Sequence, residues 1–279
     1  MSERRLFCFG MGYSARAFSE RLGPEWSVNG TRRNGETGTL RFDRGCPLAS
    51  SAFAGITHIL ISVPPDGAGD PVLDLHGGDI GALSGLRWLG YLSTTGVYGT
   101  RDGGWVDETA ERRPTGERGK RRVAAETAWI GLWRQLGVPV HIFRLAGIYG
   151  PGRSPFDALR AGIARRIDIP GQVFSRIHVG DAATVLLASI AKPRPGAIYN
   201  VCDDEPAAQA EVVAYAAKLL GVEPPPLVPL AEAELSPMAK SFYADNKRVS
   251  NALIKQELGV TLAYPDYRAG LAAILAAGG

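Results

Sequence analysis

The 279-residue sequence has few cysteines, little net charge and no long apolar run. Its three cysteines, Cys8, Cys46 and Cys202, are widely spaced, which excludes a disulfide framework and a zinc cluster and indicates reduced thiols in the cytoplasm. No apolar stretch is long enough to span a bilayer and no signal peptide precedes the first strand, so no membrane association is expected. A net charge of +3 gives no general argument for nucleic acid.

A glycine-rich turn lies between a predicted strand and a predicted helix near the N-terminus. Residues 6–9 form an apolar run, residues 10–15 have the spacing G-x-G-x-x-A, and residues 16–22 have helical spacing. Gly10 allows a tight turn and Gly12 lets a pyrophosphate approach the backbone. The alternative is a turn that binds nothing. The pattern predicts a dinucleotide cradle made of Gly10, Met11, Gly12, Tyr13 and Ser14.

Basic residues follow the second predicted strand, residues 26–30. NAD-binding folds of this type place a carboxylate there for the ribose hydroxyls, whereas this chain has Thr31, Arg32 and Arg33. Two guanidiniums suit a 2′-phosphate, so the sequence favours NADP over NAD. The alternative is a pair of solvated loop charges. Asp43, at the end of a third short strand, is placed either to reach an adenine edge or to cap a turn.

Strand-like runs alternate with helical patterns through the first half of the chain. This alternation predicts an α/β fold, a Rossmann-type doubly wound parallel sheet with a small, mostly helical C-terminal substrate lobe. The strands at residues 56–63 and 86–93 end where such sheets bind ligands, and the cofactor side is predicted to include Ser62, Val63, Pro64 and Ser93. A helix follows at residues 115–136, and its predicted apolar face is Ala124, Ala128, Leu132 and Leu136.

The predicted domain boundaries follow from the same pattern. Residues 1–150 are expected to form the NAD(P)-binding domain, to which a strand and helices at about 176–220 return. Residues 151–175 and 221–279 are expected to form the smaller substrate lobe. A proline cluster at residues 224–226 is the clearest linker-like segment between them.

Five further motifs extend the pattern along the chain. They are S-T-T-G-V-Y-G at 93–99, V-D-E at 106–108, R-L-A-G-I-Y-G-P-G at 144–152, R-I-H-V-G-D at 176–181 and Y-N-V-C-D-D-E-P at 199–206. With the glycine turn, they make the sequence similar to extended or atypical short-chain dehydrogenases/reductases, close to the NAD-dependent epimerase/dehydratase group. The resemblance implies an NAD(P) cofactor, a small-molecule substrate and, as the default assembly, a homodimer.

The sequence departs from this family at its acid/base pair. Members carry Tyr-x-x-x-Lys on the helix after the V-Y-G motif, with a glutamate four residues later. Glu126 matches that glutamate, which places Arg118 at the tyrosine and Arg122 at the lysine. A guanidinium, with a pKa above about 12, cannot exchange the proton. Arg122 can still hold the nicotinamide ribose, and both arginines can clamp an anionic substrate. A solvated basic helix start is the alternative.

Four residues remain as catalytic candidates. Thr94 matches the family's substrate-orienting serine or threonine. Tyr98, Tyr149 and Glu108 are candidates for a proton relay, and a structural role is the alternative for each. A second Tyr-x-x-x-Lys occurs at Tyr243 and Lys247, far from the strand that it should follow. We interpret it as a chance occurrence; the alternative is that the C-terminal lobe folds back over the cleft.

These residues predict an NADP-dependent oxidoreductase or an epimerase/dehydratase-like enzyme with an altered acid/base group. Its substrate is expected to be a small carbonyl or alcohol compound, for example an anionic one, and no metal is expected. The alternative is a non-catalytic NADP(H)-binding sensor or regulatory protein, since the usual pair is missing. An empty scaffold is disfavoured by the unbroken glycine turn.

Overall fold

The computed structural model describes residues 4–36, 38–234 and 243–279. Its strands are β1 (Arg4–Phe9), β2 (Trp26–Arg32), β3 (Leu40–Arg41), β4 (His58–Ile61), β5 (Trp88–Thr94), β6 (Trp105–Val106), β7 (Val140–Leu145), β8 (Gly147–Tyr149), β9 (Arg166–Asp168), β10 (Arg176–His178), β11 (Ile198–Val201), β12 (Leu227–Pro229) and β13 (Arg248–Val249). Its helices are α1 (Tyr13–Ser19), α2 (Pro71–Gly81), α3 (Glu117–Leu136), α4 (Pro155–Arg160), α5 (Val179–Ala191), α6 (Gln209–Leu220), α7 (Ala252–Leu258) and α8 (Tyr267–Ala276).

Seven parallel strands form the central sheet in the order β11-β7-β5-β4-β1-β2-β3. The order reverses between β1 and β4, which is the topological switch point where doubly wound sheets bind ligands. The predicted Rossmann-type fold is confirmed. Among the described residues, no helix is long and apolar enough to cross a membrane.

Alternating side chains of the strands fill a core on each face of the sheet. In β1, Leu6 and Cys8 pack on one face with residues of α1, α5 and α7, while Phe7 and Phe9 pack on the other with residues of α2 and α3. This is the period of two that a strand buried on both faces requires. The two faces together explain why the first strand is a continuous apolar run.

The C-terminal lobe has a core of its own. Phe156 of α4, Val212 and Ala216 of α6, and Tyr267 and Leu271 of α8 form one buried cluster. Three short helices thus share one core, and one of them, α6, lies in the segment 176–220 that the sequence pattern predicts to return to the Rossmann domain. The division into two domains at the predicted boundaries stays a prediction.

Helix α3 buries a different face from the predicted one. Ala124 and Ala128 are exposed and Leu136 is 58% exposed, whereas Ala125, Glu126 and Trp129 are buried. The predicted apolar face is therefore wrong at three of its four residues, and only Leu132 packs against the core. The reason is that the buried side contains a carboxylate, which a count of apolar residues assigns to solvent.

The buried carboxylate of Glu126 joins α3 to the sheet. Arg144 of β7 donates from Nη2 to Oε2 at 2.8 Å and from Nε to Oε1 at 3.1 Å, and Ser93 of β5 donates to Oε1 at 2.6 Å. Arg144 also donates to the hydroxyl of Tyr98 at 2.8 Å, which donates in turn to Asn200 of β11 at 2.7 Å. One polar network thus connects α3 with three adjacent strands.

We expect Glu126→Ala to be strongly destabilising, because it leaves the buried Arg144 guanidinium without its counter-charge. The loss in free energy of unfolding, measured by urea denaturation, is expected to be about 3–5 kcal/mol. Glu117→Ala is the control on the same helix, where an exposed glutamate pairs with Lys120; it is expected to change stability by no more than about 0.5 kcal/mol. Equal losses in the two variants would contradict the assignment of the network.

Candidate functional site

The glycine turn leaves open space beside its backbone. Gly10 has a φ of +88°, and a Cβ there would lie 3.2 Å from a methyl group of Val63. A Cβ at Gly12 would meet nothing within 4 Å. Thr31, only 1% exposed, supports the turn by accepting the N–H of Gly10 on its hydroxyl at 3.0 Å and that of Met11 on its carbonyl at 2.8 Å. The turn is thus held by Thr31 on one side and has open space at Gly12 on the other, as binding of a diphosphate would require.

Two cavities meet at this turn. The smaller, of about 700 Å³, is lined by the turn and by the end of β2. The larger, of about 1370 Å³, begins at Ser14 and covers the carboxyl ends of β4, β5 and β7. Between them the hydroxyl of Tyr13 donates to the carbonyl of Pro151 at 3.0 Å. The cleft therefore follows the sheet edge and crosses the switch point.

The smaller cavity is weakly cationic. Arg32 forms an ion pair with Glu36 and donates to the carbonyl of Met11 at 3.2 Å, while Arg33 is exposed. With Arg16 of α1 and Glu20 directly after that helix, the charged residues of the lining are three arginines and two glutamates. These five side chains give this end of the cleft one net positive charge.

Asp43 follows the turn-capping alternative. Its carboxylate accepts the N–H of Gly45 at 2.8 Å and pairs with Arg41 at 3.2 Å. It is absent from the residues that line the two cavities. The structure thus gives no support to an adenine contact for Asp43.

The larger cavity brings together three of the four predicted catalytic residues. Thr94 accepts the N–H of Gly96 on its hydroxyl at 3.2 Å, which leaves its own proton for a ligand. Arg118 is an exposed part of the lining. Arg122 is half-buried and is anchored to β5, since it donates to the carbonyl of Leu92 at 2.7 Å. Ser62 and Pro64 line the same cavity, as predicted for the cofactor side.

Tyr98 and Ser93 do not have the roles predicted for them. Tyr98 is fully buried, its hydroxyl is taken up by Arg144 and Asn200, and it does not line the cavity. Burial raises the pKa of Tyr98 to about 12. The hydroxyl of Ser93 is donated to Glu126, so only the rest of that residue reaches the cavity wall. These contacts contradict the proton-relay role of Tyr98 and leave the Ser93 hydroxyl unavailable to a cofactor.

The second Tyr-x-x-x-Lys motif lines the larger cavity. Tyr243 and Lys247 both belong to the wall that Thr94 also lines. The C-terminal segment is brought back because β13 pairs in parallel with β6, with Arg248 opposite Trp105 and Val249 opposite Val106. The C-terminal segment therefore folds back over the cleft, as the alternative has it, and a role of the motif in the reaction stays a prediction.

Sequence reasoning also missed Arg176, although it lies in a motif that the sequence shows. Its guanidinium is 7% exposed, lines the larger cavity and donates to the carbonyls of Phe174 at 2.8 Å and Ala207 at 2.9 Å. The carboxyl of nearby Asp203 is buried, and neither oxygen has a hydrogen-bond partner among the described residues. Burial raises the pKa of Asp203 to about 8. The charge of Arg176 partly offsets this rise in pKa, but no hydrogen bond joins the two side chains.

Comparison with known proteins agrees with this geometry. No family model matches the sequence. A conserved protein of unknown function from Silicibacter pomeroyi is 51% identical, with a TM-score of 0.91 over 98% of this chain and 99% of that chain. A protein from Methylobacillus flagellatus, assigned as an NAD-dependent epimerase/dehydratase, is 25% identical, with a TM-score of 0.71 over 100% and 99% of the two chains. The fold of this chain is that of the epimerase/dehydratase-like proteins of the short-chain dehydrogenase/reductase superfamily, among which its structural neighbours lie.

Three further proteins are matched more loosely. RMD from Pseudomonas aeruginosa, solved with NADPH, is 18% identical with a TM-score of 0.73 over 98% and 96% of the chains, which shows the fold alone. Protein YeeZ of Escherichia coli is 35% identical over 179 residues, 63% of this chain and 58% of that protein. A Streptomyces 3-diazoavenalumate denitrifying reductase is 30% identical over 142 residues, 47% of this chain and 45% of that protein. This chain thus matches about half the length of these curated relatives.

The unpaired carboxyl of Asp203 predicts a pH dependence of stability. Its folded pKa lies above the unfolded value of about 4, so the protonated form stabilises the fold at low pH and this stability is lost as the pH rises from about 4 to about 8. Asp203→Asn is therefore expected to gain stability relative to the unmodified protein between pH 5 and pH 8, by up to about 1.4 kcal/mol per pH unit.

The measurement is urea denaturation at each pH. Asp102→Asn serves as the control, because Asp102 is exposed. A stability difference between Asp203→Asn and the unmodified protein that stays constant with pH would contradict the expectation.

Proposed function

We propose that the chain is an NADP-dependent oxidoreductase that moves a hydride to or from a small, anionic carbonyl or alcohol compound. The observation that carries this proposal is the cleft itself, two cavities that meet over an open glycine turn at the switch point of the sheet. Its shape suits a ligand with two halves and a diphosphate between them. The free thiols of the three cysteines support a cytoplasmic location, and a homodimer remains the expected assembly.

The residues of the cleft fit a nicotinamide dinucleotide. Gly12 and Ser14 would hold the diphosphate, because no side chain fills the space above the turn. The smaller cavity would take the adenosine half and the larger cavity the nicotinamide half. When bound, the cofactor supplies or accepts the hydride.

NADP is favoured over NAD by the arginines after β2. Arg32 and Arg33 line the adenosine end, where a 2′-phosphate would offer two guanidiniums a doubly charged partner. Arg32 already binds the carboxylate of Glu36, so the phosphate would replace a weaker, exposed ion pair. The relatives include both an NAD-dependent assignment and an NADPH complex, and the choice rests on these side chains.

An anionic substrate is favoured by the cations of the larger cavity. Arg118 and Arg122 reach it from α3, and Arg176 lines it with a guanidinium that no carboxylate of the described residues pairs. A buried guanidinium that forms no hydrogen bond to a carboxylate is costly, and a bound carboxylate or phosphate would reduce that cost. Thr94, whose hydroxyl proton is available, can donate to the reacting oxygen. The name of the Streptomyces relative, a reductase, supports the direction of reduction.

The proposal is tested by titrating the purified protein with NADPH and NADH, followed by tryptophan fluorescence and thermal unfolding. Ligand binding to the native state raises its apparent stability by mass action. Consumption of NADPH is then measured with a panel of 2-oxo acids, aldehydes and phosphorylated sugars. Binding without turnover would favour a sensor, and failure to bind either dinucleotide would remove the proposal.

Arg32→Ala combined with Arg33→Ala is expected to weaken NADPH much more than NADH. Loss of two charge-assisted contacts to a phosphate should raise the dissociation constant of NADPH by roughly 10- to 100-fold or more. That of NADH is expected to change by less than about threefold. Arg41→Ala is the control, since Arg41 pairs with Asp43 outside both cavities. Equal weakening of the two cofactors would contradict the 2′-phosphate assignment.

Gly12→Val is expected to abolish binding of both dinucleotides without unfolding the protein. Gly12 has a φ of −86°, which any residue can adopt, so the substitution should not strain the backbone. The new side chain would fill the empty space that the diphosphate needs. Gly85→Val is the matched control, because that glycine also has open space around it but precedes β5 at the opposite edge of the sheet. Retained NADPH binding in Gly12→Val would show that the turn is not the cradle.

A further inference from the structure

The proposed reaction lacks a proton donor on the Rossmann part of the site. Arg118 and Arg122 occupy the positions of the family's tyrosine and lysine, and a guanidinium cannot exchange its proton in the working pH range. Tyr98 is buried behind the cavity wall. Thr94 can donate a hydrogen bond, but its hydroxyl is too weak an acid to deliver the proton alone. Tyr149 also lines the wall, but its hydroxyl donates to the carbonyl of Asp266 at 3.3 Å. A titratable group is therefore needed from another part of the wall.

Lys247 is such a group. It lines the same cavity as Thr94 and is 8% exposed, although it follows Thr94 by more than half of the chain. Its Nζ donates to Oδ2 of Asp245 at 3.1 Å. A lysine this well buried is uncommon, and its presence in a cleft wall points to a use there.

Contacts on both sides hold the segment of Lys247 in place. Oδ1 of Asp245 accepts from the hydroxyl of Thr115 at 2.5 Å, and the carbonyl of Asp245 accepts from the amide of Gln172 at 2.7 Å. The carbonyl of Asn246 accepts the N–H of Arg101 at 2.8 Å. Because Thr115 lies two residues before α3, these contacts place Lys247 beside the start of the helix that carries the tyrosine in the family.

The charges around Lys247 allow it to exchange a proton. Burial lowers the pKa of its ammonium, the carboxylate of Asp245 partly offsets this, and Arg101 lowers it further. A lysine shifted in this direction is the common way in which proteins make a general base or acid from an amine. The other charged residues of the cavity wall are Glu117, Arg118, Arg122, Arg153, Asp157 and Arg176.

We propose that Lys247 is the proton donor and acceptor of the reaction at Thr94, a role that the C-terminal lobe supplies in place of the missing tyrosine. This inference rests on the proposed oxidoreductase function. In reduction, the carbonyl carbon gains a hydride and the π electrons move to oxygen. An N–H bond of the Lys247 ammonium then breaks and an O–H bond forms, which gives the alcohol and a neutral amine. The amine then takes up one H⁺ from the solvent, so each reduction consumes one hydride and one proton.

The first test needs no substrate. The Cε and Nζ resonances of the lysines are followed by NMR from pH 6 to pH 11 in the unmodified protein, with Lys247→Met used to assign the signal. We expect one lysine to titrate below the others, to disappear in Lys247→Met and to shift when NADP⁺ is added. Titration of Lys247 together with the exposed lysines would overturn the proposal.

The second test uses NADPH consumption with the compound of the carbonyl panel that turns over. Lys247→Met is expected to lower kcat on the order of 10²- to 10⁴-fold with little change in NADPH affinity. Lys247→Arg keeps the charge beside Asp245 but is expected to be equally inactive. Lys247→His is expected to recover part of the activity with its pH optimum moved to lower pH. Lys255→Met is the control, because Lys255 pairs with Asp204 on the surface.

The outcomes separate this inference from the proposed function. Turnover retained in Lys247→Met, or restored by Lys247→Arg, would overturn the role of Lys247 and leave the oxidoreductase function intact. NADPH binding without turnover of any compound, combined with an ordinary titration of Lys247, would overturn both. Tyr243→Phe tests the neighbouring hydroxyl: a loss of kcat as large as that of Lys247→Met would assign the proton to Tyr243 instead.

Discussion

The buried ion pair between Glu126 and Arg144 is the constraint on which the cleft depends. It fixes α3 against β7, takes the hydroxyl of Ser93 from β5, and reaches β11 through Tyr98 and Asn200. A carboxylate without exposure is stable there only because a fork of guanidinium donors faces both of its oxygens. The floor below Thr94 is thereby rigid, which is what orientation of a substrate carbonyl requires.

The sheet and the glycine turn could be predicted from the sequence because their signals are local. Apolar runs, helical spacing and two glycines are sufficient to place β1, the turn and α1, and the order of such units determines the topology. The buried face of α3 could not be predicted in this way. Glu126 faces the core because it forms an ion pair there with Arg144, eighteen residues later. A count of apolar residues contains no information on such a pair.

For the candidate site, the sequence pattern both includes a residue that does not reach the cleft and leaves out one that does. Tyr98 stands in the expected motif, but the 3₁₀ turn at Thr95–Tyr98 carries its ring into the interior, so its position in the motif does not give access to the cleft. Lys247 stands outside the expected place, but a two-residue strand pairing brings it into the wall. A strand of two residues is too short to show the alternation of apolar and polar residues from which strands are predicted. Access to a cleft is a property of tertiary contacts, and the spacing of residue types predicts only which chemistry is available.

The placement of Lys247 has a consequence for how the proposed site works. If the proton comes from the lobe, α3 no longer has to carry a titratable pair, and Arg118 and Arg122 can occupy those positions as anion-binding groups. The cost is that the proton donor and the substrate-orienting hydroxyl of Thr94 belong to different parts of the chain. Both line one cavity because Asp245 is bonded to Thr115 and β13 pairs with β6. In the proposed reaction, proton transfer would depend on these two contacts, whereas the cofactor would be held by the Rossmann sheet.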